Sequence, residues 1–366
     1  MRAATELVAT GHYPKRTEPF YFRAPGYPYF LAAATLGHPR SVAAGKAINA
    51  VLGALAAVLL AAFSARIFGS RPVAIATGIA AALHPGLVML STDVQSEPLF
   101  VVLLLISGYL LLAAADRPSS NLAIAAGAAL ALAALTRPAA LALCPLLAAP
   151  LFDRRWPLRA RAQVAASGLL GLTLALFPWT LRNAIVFREL VPINDAGGSA
   201  FYQGNSDWMM RFYEIQTPQE YSRWIGASFS DLERQTRAVD AASGGSPSAL
   251  SRHFVDKTFQ ERGSDLAGWG RLLALKAWEW LRLYPYPLFW PRWVLWLVGA
   301  VNTAVMILAA IGLFRAPRPG VRAFAAAYLV LSMAVHVALI VVWRYRIASW
   351  DPVLLLYAGW AAWPRR

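Results

Sequence analysis

Charge is scarce in this sequence: Asp, Glu, Lys and Arg make up only 14% of its 366 residues, against 58% hydrophobic, at a mean hydropathy of +0.47. Soluble domains carry about a quarter charged residues, so an ordinary water-soluble enzyme is excluded and the chain reads as an integral membrane protein. Acidic residues are scarcest, 19 against 34 Lys and Arg. That balance can mark a nucleic-acid binder, but here the cations are scattered between apolar runs instead of gathered on one face, and membrane topology accounts for them. The one cysteine, Cys144, lies inside an apolar run, which excludes an intrachain disulfide and leaves the redox compartment unreadable. A phosphate loop, an HExxH helix, zinc spacing and a dinucleotide fingerprint are all missing, which argues against an ATP-driven or soluble-cofactor enzyme. Residues 1–11 lack the apolar core and cleavage site of a secretory signal, and no internal repeat is visible.

What the chain does have is apolar length. Nine runs could cross about 30 Å of hydrocarbon, some of them tilted or incomplete: 43–65, 72–90, 97–115, 120–136, 139–152, 163–180, 293–314, 323–343 and 348–363. Alternating spans place Arg66, Arg71, Arg117, Arg154, Arg155, Arg159, Arg161, Arg315, Arg318, Arg322, Arg365 and Arg366 on one side, which the positive-inside bias makes cytoplasmic. The expected organisation is an extracytoplasmic N-terminal segment over 1–42, transmembrane helices over 43–180, a mixed extracytoplasmic loop domain over 181–291 and C-terminal transmembrane helices over 292–366. An odd number of spans ending inside starts Met1 outside, so the expectation is that a further span precedes it. The Ala-rich runs 50–62 and 121–140 suit close helix packing in lipid. Within 181–291, residues 194–199 and 204–207 read as turns. Residues 265–283 read as an interfacial helix with Leu266, Trp269, Leu273, Ala277, Trp280 and Leu281 on one face and Arg271 and Lys276 elsewhere. Its tryptophans suit an aromatic belt more than a sugar platform.

Charges at span ends carry the chemical information, because burying them is costly unless they meet a partner or a cavity. Arg23, Arg137, Arg344 and Arg346 stand at outer ends, against the positive-inside bias. An anion would account for them, since several guanidinium forks converging on one spot suit a phosphodiester or pyrophosphate; snorkelling to lipid head groups is the alternative. Arg23 and Tyr27 sit on a stiff corner, Arg23-Ala24-Pro25-Gly26-Tyr27-Pro28, whose prolines fix φ on either side of a permissive glycine. Asp93 and Glu97 lie in the turn that opens a span. Either helix capping explains them, or they face the same outer cavity as acid/base or acceptor-binding groups. His84 and His336 read as packed, hydrogen-bonded helix residues. No metal-ligand set is visible, and the sequence leaves a divalent-metal cofactor open.

Five segments together resemble the GT-C membrane glycosyltransferases, in particular the group of protein O-mannosyltransferases and lipid A aminoarabinose transferases. They are residues 23–28, Ser96-Glu97-Pro98-Leu99-Phe100, Leu135-Thr136-Arg137-Pro138, residues 178–183 with the later Gly197-Gly198 and Gly204-Asn205, and Trp343-Arg344-Tyr345-Arg346-Ile347. The resemblance implies an all-α polytopic fold in a bacterial-type cytoplasmic membrane. It implies transfer of a sugar from a polyprenyl-phosphate carrier to a lipid, glycan or protein acceptor on the outer face, without nucleic acid as partner. Glu97 and Asp93 are then the catalytic candidates, and Arg23, Tyr27, Arg137, Arg344 and Arg346 the lipid-phosphate ligands. The group also places a general-base aspartate in the first outer loop. This sequence lacks it, and residues 4–11 resemble the stretch just after it, so the expectation is that base and first span both lie before Met1. An inactive relative and a lipid-linked-sugar transporter are the alternative readings; a transporter would carry polar groups near mid-bilayer between repeated halves.

Overall fold

The computed structural model describes residues 1–14, 23–35, 37–38 and 41–363. Arg365 and Arg366 of the basic set lie outside them. Every regular element among the described residues is helical.

Short helices α1 (Arg2–Thr10) and α2 (Gly26–Ala34) precede α3 (Val42–Phe68), which Ser41 caps at its start and left-handed Gly69 ends. α4 (Arg71–Leu83) and α5 (Pro85–Ser91) form one apolar path bent by 57°. The bend falls at His84 because Pro85 pushes the residue before it out of the helical region, to ψ 118°. α6 (Glu97–Asp116) and α7 (Ser120–Thr136) follow, and then Pro138–Phe152 continues as a 3₁₀ helix containing Pro145 and Pro150. Each proline removes a donor that an α-helix would need. α8 (Leu158–Phe187) completes the first half. The next stretch holds α9 (Ala196–Asn205), α10 (Asp207–Phe212), α11 (Pro218–Ser243), α12 (Pro247–Arg262) and α13 (Leu266–Leu281). The chain closes with α14 (Arg292–Arg315), α15 (Pro319–Ala338), α16 (Trp343–Ser349) and α17 (Asp351–Ala362).

The protein is a multi-pass, all-α membrane protein, but the expected nine spans are not reached by helix length. α3, α6, α8, α14 and α15 are long and apolar enough to cross a membrane, and α4 with α5 makes a sixth if the bent pair counts as one. The run at 139–152 is apolar but 3₁₀, and its 15 residues at about 2 Å each still extend about 30 Å. The run at 348–363 is broken between α16 and the 12-residue α17.

α6 sets the axis of the bundle, with Glu97 at one end and Asp116 about 28 Å away at the other, at 1.5 Å per residue. Asp116 gathers Arg66 (3.2 Å), Arg155 (3.4 Å) and Arg318 (3.5 Å), so connections far apart in sequence meet at that end. α15 runs from this end to Ala338, where the stretch between α8 and α14 docks. There Asn205 Nδ2 donates to the Ala338 carbonyl and Lys276 Nζ to the Leu339 carbonyl.

Two expectations for that stretch are corrected. Of the expected turns at 194–199 and 204–207, residues 196–199 and 204–205 belong to helix α9: Gly198 and Gly204 serve close packing, since a Cβ at Gly204 would lie 1.6 Å from the Leu339 carbonyl oxygen. Lys276 is not on a polar face of α13. It is fully buried, and its Nζ donates hydrogen bonds to Asn205 Oδ1 (3.1 Å) and the Leu339 carbonyl (2.9 Å).

Candidate functional site

The site forms where the starts and ends of four helices meet. Pro138 forces Arg137 into an extended conformation at the end of α7 (φ −144°, ψ 110°), and Pro98 sits in the first turn of α6 behind Glu97. The Glu97 carboxylate is buried. Its Oε1 lies 2.8 Å from Arg137 Nη1 and 3.2 Å from Nε of Arg344 on α16. The Arg137 guanidinium also lies 4.1 Å from the centre of the Tyr345 ring and 5.8 Å from that of Phe100. Two guanidinium groups thus share one carboxylate, and the Arg344 side chain is half exposed.

The corner at 23–28 positions this end of the bundle. A Cβ at Gly26 would lie 2.7 Å from Thr136 Oγ1 and 2.9 Å from the Leu135 carbonyl, so only glycine lets α2 dock on the end of α7 next to Arg137. Tyr27 is buried and its hydroxyl donates to Asn49 Oδ1 at 3.1 Å. Asn49 Nδ2 in turn donates to the carbonyls of Asp93 (2.6 Å) and Gln95 (2.8 Å), which fixes the turn leading into Glu97. Burial is the first cause that pushes the Tyr27 phenol up to about 12, with the nearby Glu97 and Asp93 charges adding to it, so the hydroxyl stays a donor. Tyr27 thus braces, through Asn49, the turn that leads into Glu97. Asp93 is exposed, and its Oδ1 accepts from the backbone N–H of Val94. Arg23 is exposed at the start of the corner, where its carbonyl accepts from Tyr13; the Tyr13 ring packs edge-on to Trp179 at 5.1 Å.

Arg346 is not part of this cluster, contrary to expectation. It is fully buried, donates to both oxygens of Asp351 (2.8 and 3.0 Å), and reaches the Arg282 carbonyl at 2.8 Å. His84, 3.7 Å from Asp351, bonds Asn302 Oδ1 at 3.0 Å. His336 packs on Trp280 at 4.7 Å and lies 5.6 Å from Tyr345. His336 is a packed helix residue, as expected, whereas His84 is packed and hydrogen-bonded but stands at the break between α4 and α5 instead of inside a helix.

Sequence reasoning missed Asn49 and Tyr345 as members of the site. A lone amide in an otherwise apolar span was the available signal for the first; for the second it was an aromatic ring between two arginines. Among the described residues, no group of three or more His, Cys, Asp or Glu side chains is placed to hold a metal ion.

Residues 22–180 match the sequence family described as dolichyl-phosphate-mannose-protein mannosyltransferase, an interval that contains the corner, Glu97 and Arg137. No curated protein sequence matches the chain. Among solved structures, it resembles the oligosaccharyltransferase AglB of Archaeoglobus fulgidus in complex with an inhibitory peptide and a dolichol-phosphate. That match has a TM-score of 0.58 at 14% identity, over 98% of this chain and 45% of the other. The same enzyme tethered to an acceptor peptide matches at TM-score 0.56 and 13% identity, over 98% and 44%. ArnT of Cupriavidus metallidurans bound to undecaprenyl phosphate matches at 0.44 and 14%, over 98% and 71%. The chain thus spans less than half the length of the AglB chains it resembles. Over residues 22–180 the chain is thus similar in sequence to the dolichyl-phosphate-mannose-protein mannosyltransferases, and over nearly its whole length it shares the fold of the AglB oligosaccharyltransferase.

Proposed function

We propose that the protein transfers a sugar from a polyprenyl-phosphate carrier to an acceptor at the Glu97 end of the bundle, and that this end faces the extracytoplasmic side. The observation that carries the reading is the convergence of Arg137 and the half-exposed Arg344 on Glu97 from elements some 200 residues apart. The AglB likeness supports a lipid-phosphate donor, since that complex holds a dolichol-phosphate. The opposite end, where Arg66, Arg155 and Arg318 meet Asp116, supports the orientation by its basic connections. On this reading the stretch 181–291 is the outer domain and 1–42 an outer segment.

In the transfer, the bond between the sugar's anomeric carbon and the carrier phosphate oxygen breaks, and its electron pair stays on the phosphate. A bond forms from the acceptor heteroatom to the anomeric carbon, and the acceptor's proton goes to a base. Arg344 and Arg137 stabilise the charge developing on the leaving phosphate. Glu97 holds both guanidiniums in place, and we assign it a positioning role. Asp93, exposed in the adjoining turn, is the carboxylate left to take the proton. The acceptor is a lipid, glycan or protein nucleophile at the same face.

The test is release of polyprenyl phosphate from polyprenyl-phosphate sugars by the purified protein in lipid nanodiscs. Arg344→Ala is expected to lower kcat about 100-fold, the range for losing one preorganised donor to transition-state charge. Turnover by that variant at the wild-type rate would remove the phosphate site from the Glu97 cluster.

A further inference from the structure

Beside α16, two parts of the 181–291 stretch bring aromatic rings and polar groups to one place. Tyr286 stacks on Phe212 with ring centroids 5.0 Å apart, Tyr221 meets Phe289 edge-on at 4.7 Å, and Tyr286 and Phe289 are 6.1 Å apart. The Arg282 guanidinium lies 5.1 Å from the Tyr286 ring and pairs with the buried carboxylate of Glu279. The cluster is tied to α16 through the Arg282 carbonyl, which accepts from Arg346 at 2.8 Å. The same short helix carries Arg344 to Glu97, so the cluster is joined through α16 to the site of Arg137 and Arg344.

Two features set this place apart from a packing core. A core buries its rings, whereas Phe212, Tyr221 and Tyr286 are only partly buried and Phe289 is half exposed. A core also satisfies its polar atoms, whereas Tyr213 Oη and Arg282 Nη1 are buried with no hydrogen-bond partner among the described residues. Tyr213 meets Phe212 edge-on at 5.4 Å, Phe212 stacks on Tyr286, and Tyr286 lies under Arg282, so these groups share one neighbourhood. An isoprenoid chain would fill the ring surface but leave the polar atoms unmet. A pyranose suits both: its C–H face packs on a ring, and its hydroxyls answer a carboxylate, a guanidinium and a phenol.

We propose that Tyr221, Tyr286 and Phe289, with Arg282, Glu279 and Tyr213 behind them, form a subsite for a pyranose ring next to the carrier phosphate. The proposal rests on the reading of Arg137 and Arg344 as the phosphate site, because a sugar esterified to that phosphate lies one bond away from it. Donor sugar and acceptor sugar present the same chemistry to these groups.

The experiment measures binding to the full chain in nanodiscs of three probe sets: undecaprenyl phosphate, undecaprenyl phosphates bearing one hexose or pentose, and the corresponding methyl glycosides. A donor subsite predicts that at least one sugar-bearing carrier binds wild type more tightly than the bare carrier. The double variant Tyr221→Leu/Tyr286→Leu then loses that preference, about tenfold, with bare-carrier affinity unchanged. Tyr221→Phe/Tyr286→Phe keeps the rings and retains most of the preference, which separates stacking from general disruption. Loss confined to the methyl glycosides identifies the ring as the acceptor's. If wild type fails to bind the bare carrier while the sugar-dependent loss persists, the phosphate reading falls and the subsite stands. If no probe is bound in a sugar-dependent way, or the leucine variant weakens bare and sugar-bearing carriers alike, the subsite is overturned.

Discussion

Removing either partner of the Arg346–Asp351 pair should destabilise the protein more than removing both. Each side chain is 2% exposed or less, and the pair is held by two bonds of 2.8 and 3.0 Å inside apolar surroundings. Arg346→Met leaves the Asp351 carboxylate with only His84 at 3.7 Å, and Asp351→Leu leaves a buried guanidinium held by one carbonyl. An uncompensated buried charge of this kind costs about 3–5 kcal/mol, whereas replacing both charges by apolar groups of similar size is often near neutral. The double variant still loses the partner of the Arg282 carbonyl, at a cost of about 1 kcal/mol. Equilibrium unfolding in mixed micelles, run on wild type, both singles and the double, measures the coupling. The double should recover at least half of the loss in the worse single, and lipid-phosphate binding should recover with it, because the pair holds α16 and so Arg344. A different pattern refutes the reasoning: Arg346→Met abolishing phosphate binding at undiminished stability, with no rescue by Asp351→Leu. Arg346 would then be a ligand after all.

Three further outcomes follow from the structure. Burial lowers the Lys276 ammonium from 10.5 to about 7, so between those values the unfolded chain binds more protons and wild-type stability should rise with pH across that window. The pH slope of Lys276→Met, measured over the same range, should be flatter. Gly26→Val drives a side chain into the Leu135 carbonyl and Thr136, and should cost about 1–3 kcal/mol while displacing the backbone next to Arg137; a stable variant with normal turnover would disprove the docking argument. In intact cells, a membrane-impermeant thiol reagent should label Asp93→Cys from outside and leave Arg154→Cys unlabelled, with half-buried Cys144 as background, and the reverse pattern would invert the orientation.

The parts of the fold that sequence made legible are those set by local rules. Pro98, Pro138 and Pro85 mark helix starts and breaks wherever they fall, and the apolar runs became helices. The 3₁₀ helix at 138–152 escaped because hydropathy carries no information on hydrogen-bond register, and its prolines at 145 and 150 were the only cue. The glycines of α9 misled for a related reason. In isolation a Gly-Gly or Gly-Asn pair reads as a turn, but the same lack of a Cβ also serves close backbone approach, and only the neighbouring Leu339 and Ser251 backbones decide between them.

Arg344 and Arg346 show how one structural assignment controls the reading of a site. Two residues apart, they share a face only in an extended strand. Placed at the ragged end of an apolar run, as the sequence suggested, both could be imagined turning toward one anion. The chain instead breaks after Ala338 and restarts as the seven-residue α16, so the two side chains are about 200° apart around the helix axis. Arg344 then meets Glu97 and Arg137, while Arg346 is carried into the bundle, where a lone guanidinium would be prohibitive without Asp351. The presence of an acidic residue five positions on, at the first turn of the next apolar helix, is thus the sequence mark that separates the two arginines: one has a buried counter-ion supplied by its own segment, and the other reaches its partner only through the fold.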